Sequence, residues 1–226
     1  MRKRSPFADT WVIVPAYNEA IYIQSVLKRI QKYTQNIIVV DDGSSDSTFL
    51  FSQHNASHVL RHGINLGKGA ALKTGCEYAF YYCKANAVIF IDADAQHDPD
   101  ELTLFFKELS SGIGIIFGSR SIGQNMPFLR IFGNKIASYF TQILFGAYIP
   151  DIPSGFKAFT RETYEKIKWK STGYTVEMEI AARVAKNRIP FSSVCITTIY
   201  HDMNKGMTIL DLIHIFILLI NWKFSL

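Results

Sequence analysis

Short apolar runs alternate with helix-like segments along the first half of the chain. Runs such as TWVIVP and NIIVV lack the polar alternation of a half-exposed strand, which is typical of parallel strands buried on both faces. After the first run, Ile23, Val26, Leu27 and Ile30 recur at the spacing of an amphipathic helix. The pattern predicts strands over residues 10–15, 36–40, 57–61, 87–91 and 114–118, and helices over residues 21–33, 68–83 and 99–109.

The second half of the chain is less regular. It predicts helices over residues 128–145 and 176–186, strands over residues 155–160 and 190–200, and an apolar helix over residues 207–226. Repeated strand–helix–strand units need right-handed crossovers, which build an open sheet with helices on both faces. We therefore predict an α/β fold with a doubly wound, mostly parallel sheet over residues 1–206, followed by the C-terminal helix.

Polar motifs follow four of the predicted strands, at the point where each strand ends. PAYNE follows the first strand, DDGSSD the second, DADAQHD the fourth and SR the fifth. Ligands of open α/β sheets bind beyond the carboxyl ends of the strands. The four motifs are therefore expected to gather along one edge of the sheet.

The acidic motif after the fourth strand gives the most specific prediction of chemistry, a metal site. Asp92 and Asp94 are two residues apart, so their carboxylates can converge on one point. Two carboxylates in one place raise each other's pKa or need a cation, and a solvated acidic loop or a helix cap is the alternative. Their hard oxygens suit Mg²⁺ or Mn²⁺ that also keeps water and substrate phosphates as ligands. Gln96 offers a third oxygen, whereas Asp98 is predicted to cap the helix that begins at Pro99.

A glycine-flanked lysine precedes the third helix. In NLGKG, Lys68 stands where the backbone N–H groups of a helix start attract anions. The segment lacks the GxxxxGK[ST] spacing of a P-loop, and a plain turn with a helix cap stays open as its alternative. At the first two strand ends, Tyr17 offers a flat face for a base, and Glu19 and Asp42 offer acceptors for a base or a ribose.

The conjunction of VPAYNE, VVDDGSSD, NLGKGAAL, DADAQHDP and GSR, in this order, resembles the family 2 glycosyltransferases of the GT-A fold. Within that family it is similar to the dolichol-phosphate mannosyltransferases and the bacterial polyprenyl-phosphate glycosyltransferases. The resemblance covers roughly residues 9–205, and MPFLRIFGNK, DIPSGFKAF and GYTVEMEIA look like acceptor-side segments. It implies a Rossmann-like GT-A sheet and metal-dependent, inverting transfer from a GDP- or UDP-sugar to a dolichyl or undecaprenyl phosphate.

The resemblance also implies roles for individual residues. Asp92, Ala93 and Asp94 match the "DXD" element, with Asp94 central to catalysis and Gln96 at a further metal position. Residues matching positions that hold the nucleotide sugar are Pro15, Tyr17, Glu19, Val40, Asp42, Lys68, Asp92, Ala93 and Lys205. One departure concerns the donor: the mannosyltransferases have an arginine where this chain has Ile199, so GDP-mannose does not follow from the resemblance.

The acceptor decides which further groups the reaction needs. A lipid monophosphate has a second pKa of about 6 and is already a nucleophile at pH 7. Arg120, which the resemblance also places among the catalytic groups, Arg130 and Lys135 are candidates for binding it. A hydroxyl acceptor would need a general base instead, for which Glu177 and Asp151 are candidates, although a structural role is the favoured interpretation of both.

The C-terminal helix bears on where the acceptor is met. The uninterrupted apolar run in TILDLIHIFILLINWKFSL is only Ile215–Ile220, much shorter than the about 20 residues of a membrane span. We expect a helix that lies on a membrane or packs against a membrane subunit, with Trp222 and Lys223 at the boundary. A helix packed only within the chain is the alternative. The sequence thus predicts a peripheral protein on the cytoplasmic face of a membrane.

Composition and charge narrow the classes of function. Hydrophobic residues make up 48% and charged residues 19%, which is typical of a globular chain. The net charge of +5 suits phosphates or an anionic membrane, and no lysine- and arginine-rich tail points to nucleic acid. The three cysteines show no CxxC spacing, which favours a reducing compartment.

Three functions remain in competition at this point: transfer to a polyprenyl phosphate, transfer to a hydroxyl of a glycan or glycolipid, and a non-catalytic module that binds a nucleotide sugar. A nucleotidyltransferase is disfavoured because its usual glycine-rich opening loop is missing. A homodimer is compatible with each of the three.

Overall fold

The computed structural model describes residues 9–120, 128–199 and 209–225, except for the side chains of residues 128–132 and 209–216. Seven strands form one sheet in the order β3-β2-β1-β4-β6-β5-β7. The strands are β1 Thr10–Ala16, β2 Ile37–Asp41, β3 His58–Arg61, β4 Ala87–Phe90, β5 Ile115–Arg120, β6 Lys157–Thr160 and β7 Ser192–Ile196. The helices are α1 Ile23–Ile30, α2 Thr48–Gln53, α3 Lys68–Glu77, α4 Leu102–Ser110, α5 Phe128–Phe145, α6 Arg161–Ile167, α7 Val176–Lys186 and α8 Ile209–Ser225.

The sheet is parallel except for β6, which runs antiparallel to both of its neighbours, β4 and β5. The predicted doubly wound, mostly parallel α/β architecture is therefore confirmed. β4, which contains the run VIF, is fully buried and lies fourth of the seven strands. Two short helices, α2 and α6, were not predicted, and the predicted third helix ends in a π-helical turn over Tyr78–Tyr82.

Two apolar layers cover the two faces of the sheet. Successive residues of β1 point to opposite faces, so Val12 and Val14 join one layer and Ile13 joins the other. The first layer is completed by α1 through Leu27 and by α4 through Phe105. β1, β2 and β4 are buried and almost entirely apolar because apolar layers cover both of their faces, as their lack of alternation predicted.

Strand register brings the polar motifs together. Pro15 pairs with Val40 and Ala16 pairs with Asp41, so β1 and β2 end side by side. Just beyond β4, the Ile91 N–H donates to the carbonyl oxygen of Ile13 at 3.2 Å. The segments that follow these three strands therefore leave the sheet next to one another.

The C-terminal helix α8 packs against α5 and α7. Leu219 is buried and Trp222 packs against the core, whereas Ile217 and Phe224 are 51% and 85% exposed. One face of α8 therefore packs within the chain, as the alternative in the sequence analysis had it, and another face is exposed. Among the residues that the structure describes, no helix is both long and apolar enough to cross a bilayer.

The core contribution of α1 is testable because the same segment supplies its own control. Leu27→Ala removes a fully buried side chain and should lower the free energy of unfolding by about 2–5 kcal/mol. Ile21→Ala, at a position that is 85% exposed, should change it by less than about 0.5 kcal/mol. Urea unfolding followed by circular dichroism measures both, and equal effects would contradict this assignment of the core.

Candidate active site

A cleft of about 160 Å³ opens at the carboxyl ends of β1, β2 and β4. It is lined by residues of PAYNE, DDGSSD and DADAQHD and of α3 with the glycine-flanked lysine segment before it, joined by one residue from the chain before α7, whereas the SR motif does not line it. The lining residues are Pro15, Ala16, Tyr17, Glu19, Asp42, Asn65, Gly67, Lys68, Ala71, Asp92, Ala93, Asp94 and Tyr174. The expectation that the strand-end motifs meet at one edge is therefore confirmed for these segments.

The acidic pair lies where β4 delivers it. Asp92 and Asp94 both line the cleft, and the Gln96 N–H donates to Asp94 Oδ1 at 3.0 Å. Ala95 has a φ of 59°, which turns the chain sharply between these residues. Gln96 lies outside the lining of the cleft, and its carbonyl oxygen accepts from the Ile199 N–H. Its predicted metal contact stays a prediction.

Asp98 has the predicted capping role. Its carboxylate accepts from the Asp100 N–H at 2.9 Å and begins a 3-10 turn over Pro99–Glu101 that leads into α4. It also pairs with Arg29 of α1, away from the cleft. The prediction that Asp98 caps a helix and does not join Asp92 and Asp94 is therefore confirmed.

Lys68 binds two carboxylates at once. Its Nζ lies 2.8 Å from Asp92 Oδ1 and 2.9 Å from Glu177 Oε1 of α7. Burial alone would lower the pKa of Lys68, but the two carboxylates outweigh burial and raise its pKa above the ordinary value. In the same way burial would raise the pKa of Asp92, but Lys68 and then His97 hold it below the ordinary value. Both groups are therefore charged at neutral pH.

Glycines allow the backbone to close around this pair. A Cβ at Gly155 would lie 2.3 Å from Asp92 Oδ2 and 2.8 Å from Lys68 Nζ. Gly67 has a φ of +96°, and a Cβ at Gly69 would lie 2.3 Å from the Ser171 carbonyl oxygen. The glycines of NLGKG thus pack α3 against the chain before α7, which goes beyond the plain turn that was the alternative.

The nucleoside-side candidates differ in what they expose. Tyr17 is 47% exposed, and its side chain lines the cleft. Asp42 is buried, and its carboxylate accepts from the Leu66 and Gly67 N–H groups at 2.9 and 2.8 Å and contacts His62 Nδ1 at 2.6 Å. A carboxylate has about four lone-pair sites, so a base or ribose would share an acceptor that already holds the lysine loop.

The remaining donor-side candidates line the cleft, apart from two. Pro15, Glu19 and Ala93 lie in its wall, as predicted. The side chain of Val40 is fully buried in the core and does not line the cleft. Lys205 lies outside the described residues.

The acceptor-side cations are distributed differently from the expectation. Arg120 is not part of the cleft lining; its Nε lies 2.6 Å from Asp151 Oδ2, and its Nη2 contacts Asp151 Oδ1 at 2.5 Å. Asn134 Nδ2 donates to the same carboxylate at 2.9 Å. Lys135 is exposed, and the side chain of Arg130 lies outside the described part of the chain. A phosphate contact of Arg120 would require it to exchange or share Asp151.

Three groups in or next to the cleft were given no role by sequence reasoning. Lys157 of β6 is 1% exposed and donates to the carbonyl oxygen of Ile152 at 3.1 Å. Burial lowers its pKa to about 8, against the opposing charge of Glu177. Burial likewise lowers the pKa of His97 to about 4. Tyr174, 84% exposed at the cleft, lies in the quoted GYTVEMEIA segment but carried no signal of its own.

The donor chemistry at the cleft fits a divalent cation of the Mg²⁺ or Mn²⁺ type. Asp92 and Asp94 present hard carboxylate oxygens to one cavity, and such ions take one or two carboxylates plus water and phosphate oxygens. Within residues 9–120, 128–199 and 209–225 no cluster of three or more His, Cys, Asp or Glu forms a complete protein site. Two carboxylates leave the other positions of such an ion to water and phosphate oxygens.

Comparison with known proteins gives a consistent set of relatives. The model of the family described as Glycosyl transferase family 2 matches residues 11–168. A polyprenol monophosphomannose synthase of Mycolicibacterium smegmatis is 30% identical over 207 residues, covering 85% of this chain and 78% of that protein. A UDP-N-acetylglucosamine–dolichyl-phosphate N-acetylglucosaminyltransferase of Methanococcus voltae is 29% identical over 227 residues, covering 88% of this chain and 90% of that protein.

Among solved structures, glucosyl-3-phosphoglycerate synthase of Mycobacterium tuberculosis, in complex with Mn²⁺, uridine diphosphate and phosphoglyceric acid, has a TM-score of 0.72 to this chain. The match covers 97% of this chain and 79% of that chain at 20% sequence identity. At this identity the likeness concerns the fold, and it confirms the predicted α/β architecture.

The close approach at Gly155 gives a direct test of the site. Gly155→Ala should push the Asp92 carboxylate away from Lys68 and lower the free energy of unfolding by about 1–3 kcal/mol. Gly173→Ala is the matched control, because a Cβ there meets nothing within 4 Å, and it should stay within about 1 kcal/mol. Urea unfolding measures both variants. A Gly155→Ala protein as stable as the Gly173→Ala protein would show that the site is not packed as described.

Proposed function

The chain belongs to glycosyltransferase family 2, and on this premise we propose that it transfers a sugar from a nucleotide-sugar donor to a polyprenyl phosphate, inverting the anomeric carbon. The observation that carries the proposal is the cleft in which Tyr17, Lys68, Asp92 and Asp94 lie together at the strand ends. The exposed ring matches the base of a nucleotide sugar, and the lysine together with two carboxylates that fit a divalent ion matches its diphosphate. The names of the relatives from Mycolicibacterium and Methanococcus, both lipid-phosphate glycosyltransferases, agree with it.

In this proposal each residue of the cleft has one task. The face of Tyr17 receives the base, and Asp42 holds the loop that carries Lys68. Asp92 and Asp94 hold Mg²⁺ or Mn²⁺, which when bound supplies positive charge to the diphosphate leaving group. Lys68 and, from the C-terminal side, Lys205 add charge to the same leaving group.

The choice of a phosphate acceptor rests on the pairing of the two carboxylates that could act as a general base. A hydroxyl acceptor needs a general base within hydrogen-bonding reach, and the two candidates are already paired: Glu177 with Lys68, and Asp151 with Arg120 and Asn134. A phosphate monoester carries its own nucleophilic charge and needs cations and positioning instead. Arg130 and Lys135 are the residues proposed to bind it, joined by Arg120, which would exchange or share Asp151.

A transfer assay identifies the sugar and the base of the nucleotide-sugar donor. Full-length protein is incubated with Mn²⁺, polyprenyl phosphate and each of a set of radiolabelled UDP- and GDP-sugars, and label entering the organic phase is counted. Asp94→Asn should reduce transfer of the accepted sugar at least about 100-fold, because charge stabilisation at the leaving group is lost.

The control for that variant is Asp100→Asn, an exposed carboxylate beyond the cleft, which should keep nearly full activity. Undiminished transfer by Asp94→Asn would contradict the metal-dependent mechanism. If sugar were transferred only to the hydroxyl of a lipid or glycan and not to polyprenyl phosphate, the proposed acceptor would be wrong.

We further propose that the protein is peripheral on the cytoplasmic face of a membrane, where its lipid acceptor lies. Helices α5 and α8 contact each other and expose Tyr139, Ile143, Ile217 and Phe224. Exposed apolar side chains beside Trp222 and Lys223 are typical of an interfacial helix.

Vesicle sedimentation tests this location. The double variant Ile217→Ser/Phe224→Ser should weaken binding to anionic phospholipid vesicles at least about tenfold, because burying two large apolar side chains contributes about 1.5–3 kcal/mol each. Ile21→Ser removes an isoleucine that is 85% exposed outside α5 and α8, and it should bind like the unaltered protein. Equal binding by all three proteins would contradict attachment through α8.

A further inference from the structure

Lys68 pairs with the carboxylate of Asp92, which is also a proposed ligand of the metal ion. Its Nζ is 2.8 Å from Asp92 Oδ1, and both side chains are mostly buried. On the other side of this carboxylate, Gly155 leaves no room for a Cβ next to Oδ2, and the ring nitrogen Nδ1 of His97 is 3.9 Å from Oδ2. A divalent ion that approaches Asp92 therefore meets the lysine ammonium.

Glu177 gives Lys68 a second partner on the far side. Its Oε1 lies 2.9 Å from the same Nζ, and its side chain is 6% exposed in the first turn of α7. Lys68 therefore spans two carboxylates, of which only Asp92 lines the cleft. A shift of the ammonium away from Asp92 would leave it paired with Glu177 and not stranded as an uncompensated buried charge.

We propose that Lys68 is a resident counter-ion of the metal site: it neutralises Asp92 in the ligand-free chain and turns to the donor diphosphate, so that metal and nucleotide bind cooperatively. Glu177 is a positioning residue that keeps Lys68 within reach of both partners. The proposal rests on the metal-dependent function proposed above. Because coupling between two ligands is reciprocal, nucleotide should tighten Mn²⁺ binding by the same factor by which Mn²⁺ tightens nucleotide binding.

Direct Mn²⁺ binding tests the role of Lys68 without any measurement of activity. Free Mn²⁺ is followed by electron paramagnetic resonance as full-length protein is titrated, without nucleotide and with UDP or GDP. Without nucleotide, Lys68→Met should bind Mn²⁺ at least about tenfold more tightly than the unaltered protein, because no ammonium occupies Asp92; ligand couplings are commonly about 5–150-fold. Nucleotide should then increase the Mn²⁺ affinity of the variant less than it increases that of the unaltered protein.

The matched control is Lys73→Met, which removes the same charge from an exposed position of the same helix. It should change Mn²⁺ affinity less than about twofold, because exposed charges are screened by water and salt. Should Lys68→Met fail to fold, Lys68→Gln is measured in its place. Unchanged or weaker Mn²⁺ binding by the folded Lys68 variant would overturn the proposal.

A double-mutant cycle tests Glu177. Glu177→Gln leaves Lys68 with Asp92 alone and should weaken Mn²⁺ binding without nucleotide, whereas in the Lys68→Met background the same change should have less than about a twofold effect. An equal effect in both backgrounds would mean that Glu177 acts as a distant charge and would remove it from the proposal.

The titrations also separate this inference from the function on which it rests. Mn²⁺ binding that is strengthened by nucleotide but indifferent to Lys68 overturns the counter-ion role and leaves the metal-dependent transferase intact. If no protein binds Mn²⁺, even with UDP and GDP present, both ideas fail together.

Discussion

The contact between Lys68 and Asp92 is the constraint to which the rest of the site is fitted. The ammonium comes from the start of α3 and the carboxylate from the end of β4, and both are largely removed from water. Charges buried in this way are tolerated only as well-placed pairs, so the start of α3 and the chain after β4 must lie close together. The glycines follow from this requirement: Gly155 leaves space beside the carboxylate, and Gly69 lets α3 approach the chain at Ser171.

Sequence reasoning reached the part of the site that strand ends determine. Uninterrupted apolar runs identified β1, β2 and β4, and parallel strands deliver whatever follows them to one edge, so Tyr17, Asp42 and Asp92 were correctly brought together. What it missed depends on contacts between distant segments. The Lys68–Glu177 pair and buried Lys157 require β6 and α7 to close against the sheet, and β6 enters antiparallel between β4 and β5. No local pattern in GFKAFT specifies that position.

Two charged residues show a second limit of motif reasoning. Asp42 and Arg120 stand where a ligand would be expected, yet the structure gives them partners within the chain. Asp42 holds the Leu66 and Gly67 N–H groups, and Arg120 holds Asp151, whose φ of 51° lies in the left-handed region. Strand ends that bind charged ligands also need charged groups to shape their loops, and sequence position alone does not separate the two roles.

The charges around the cleft also bear on how a ligand enters it. Among the described residues, the lining of the cleft holds one cation, Lys68, and the carboxylates of Glu19, Asp42, Asp92 and Asp94. Glu177 pairs with Lys68 from outside the lining. A divalent cation alone would have to displace Lys68, and a diphosphate alone would face the carboxylates. A cation and a diphosphate that arrive together add little net charge, and each supplies the partner that the other takes from Lys68 or from Asp92. Cooperative binding of metal and donor is therefore what the electrostatics of this cleft favour, because either ligand by itself leaves a buried charge without its partner.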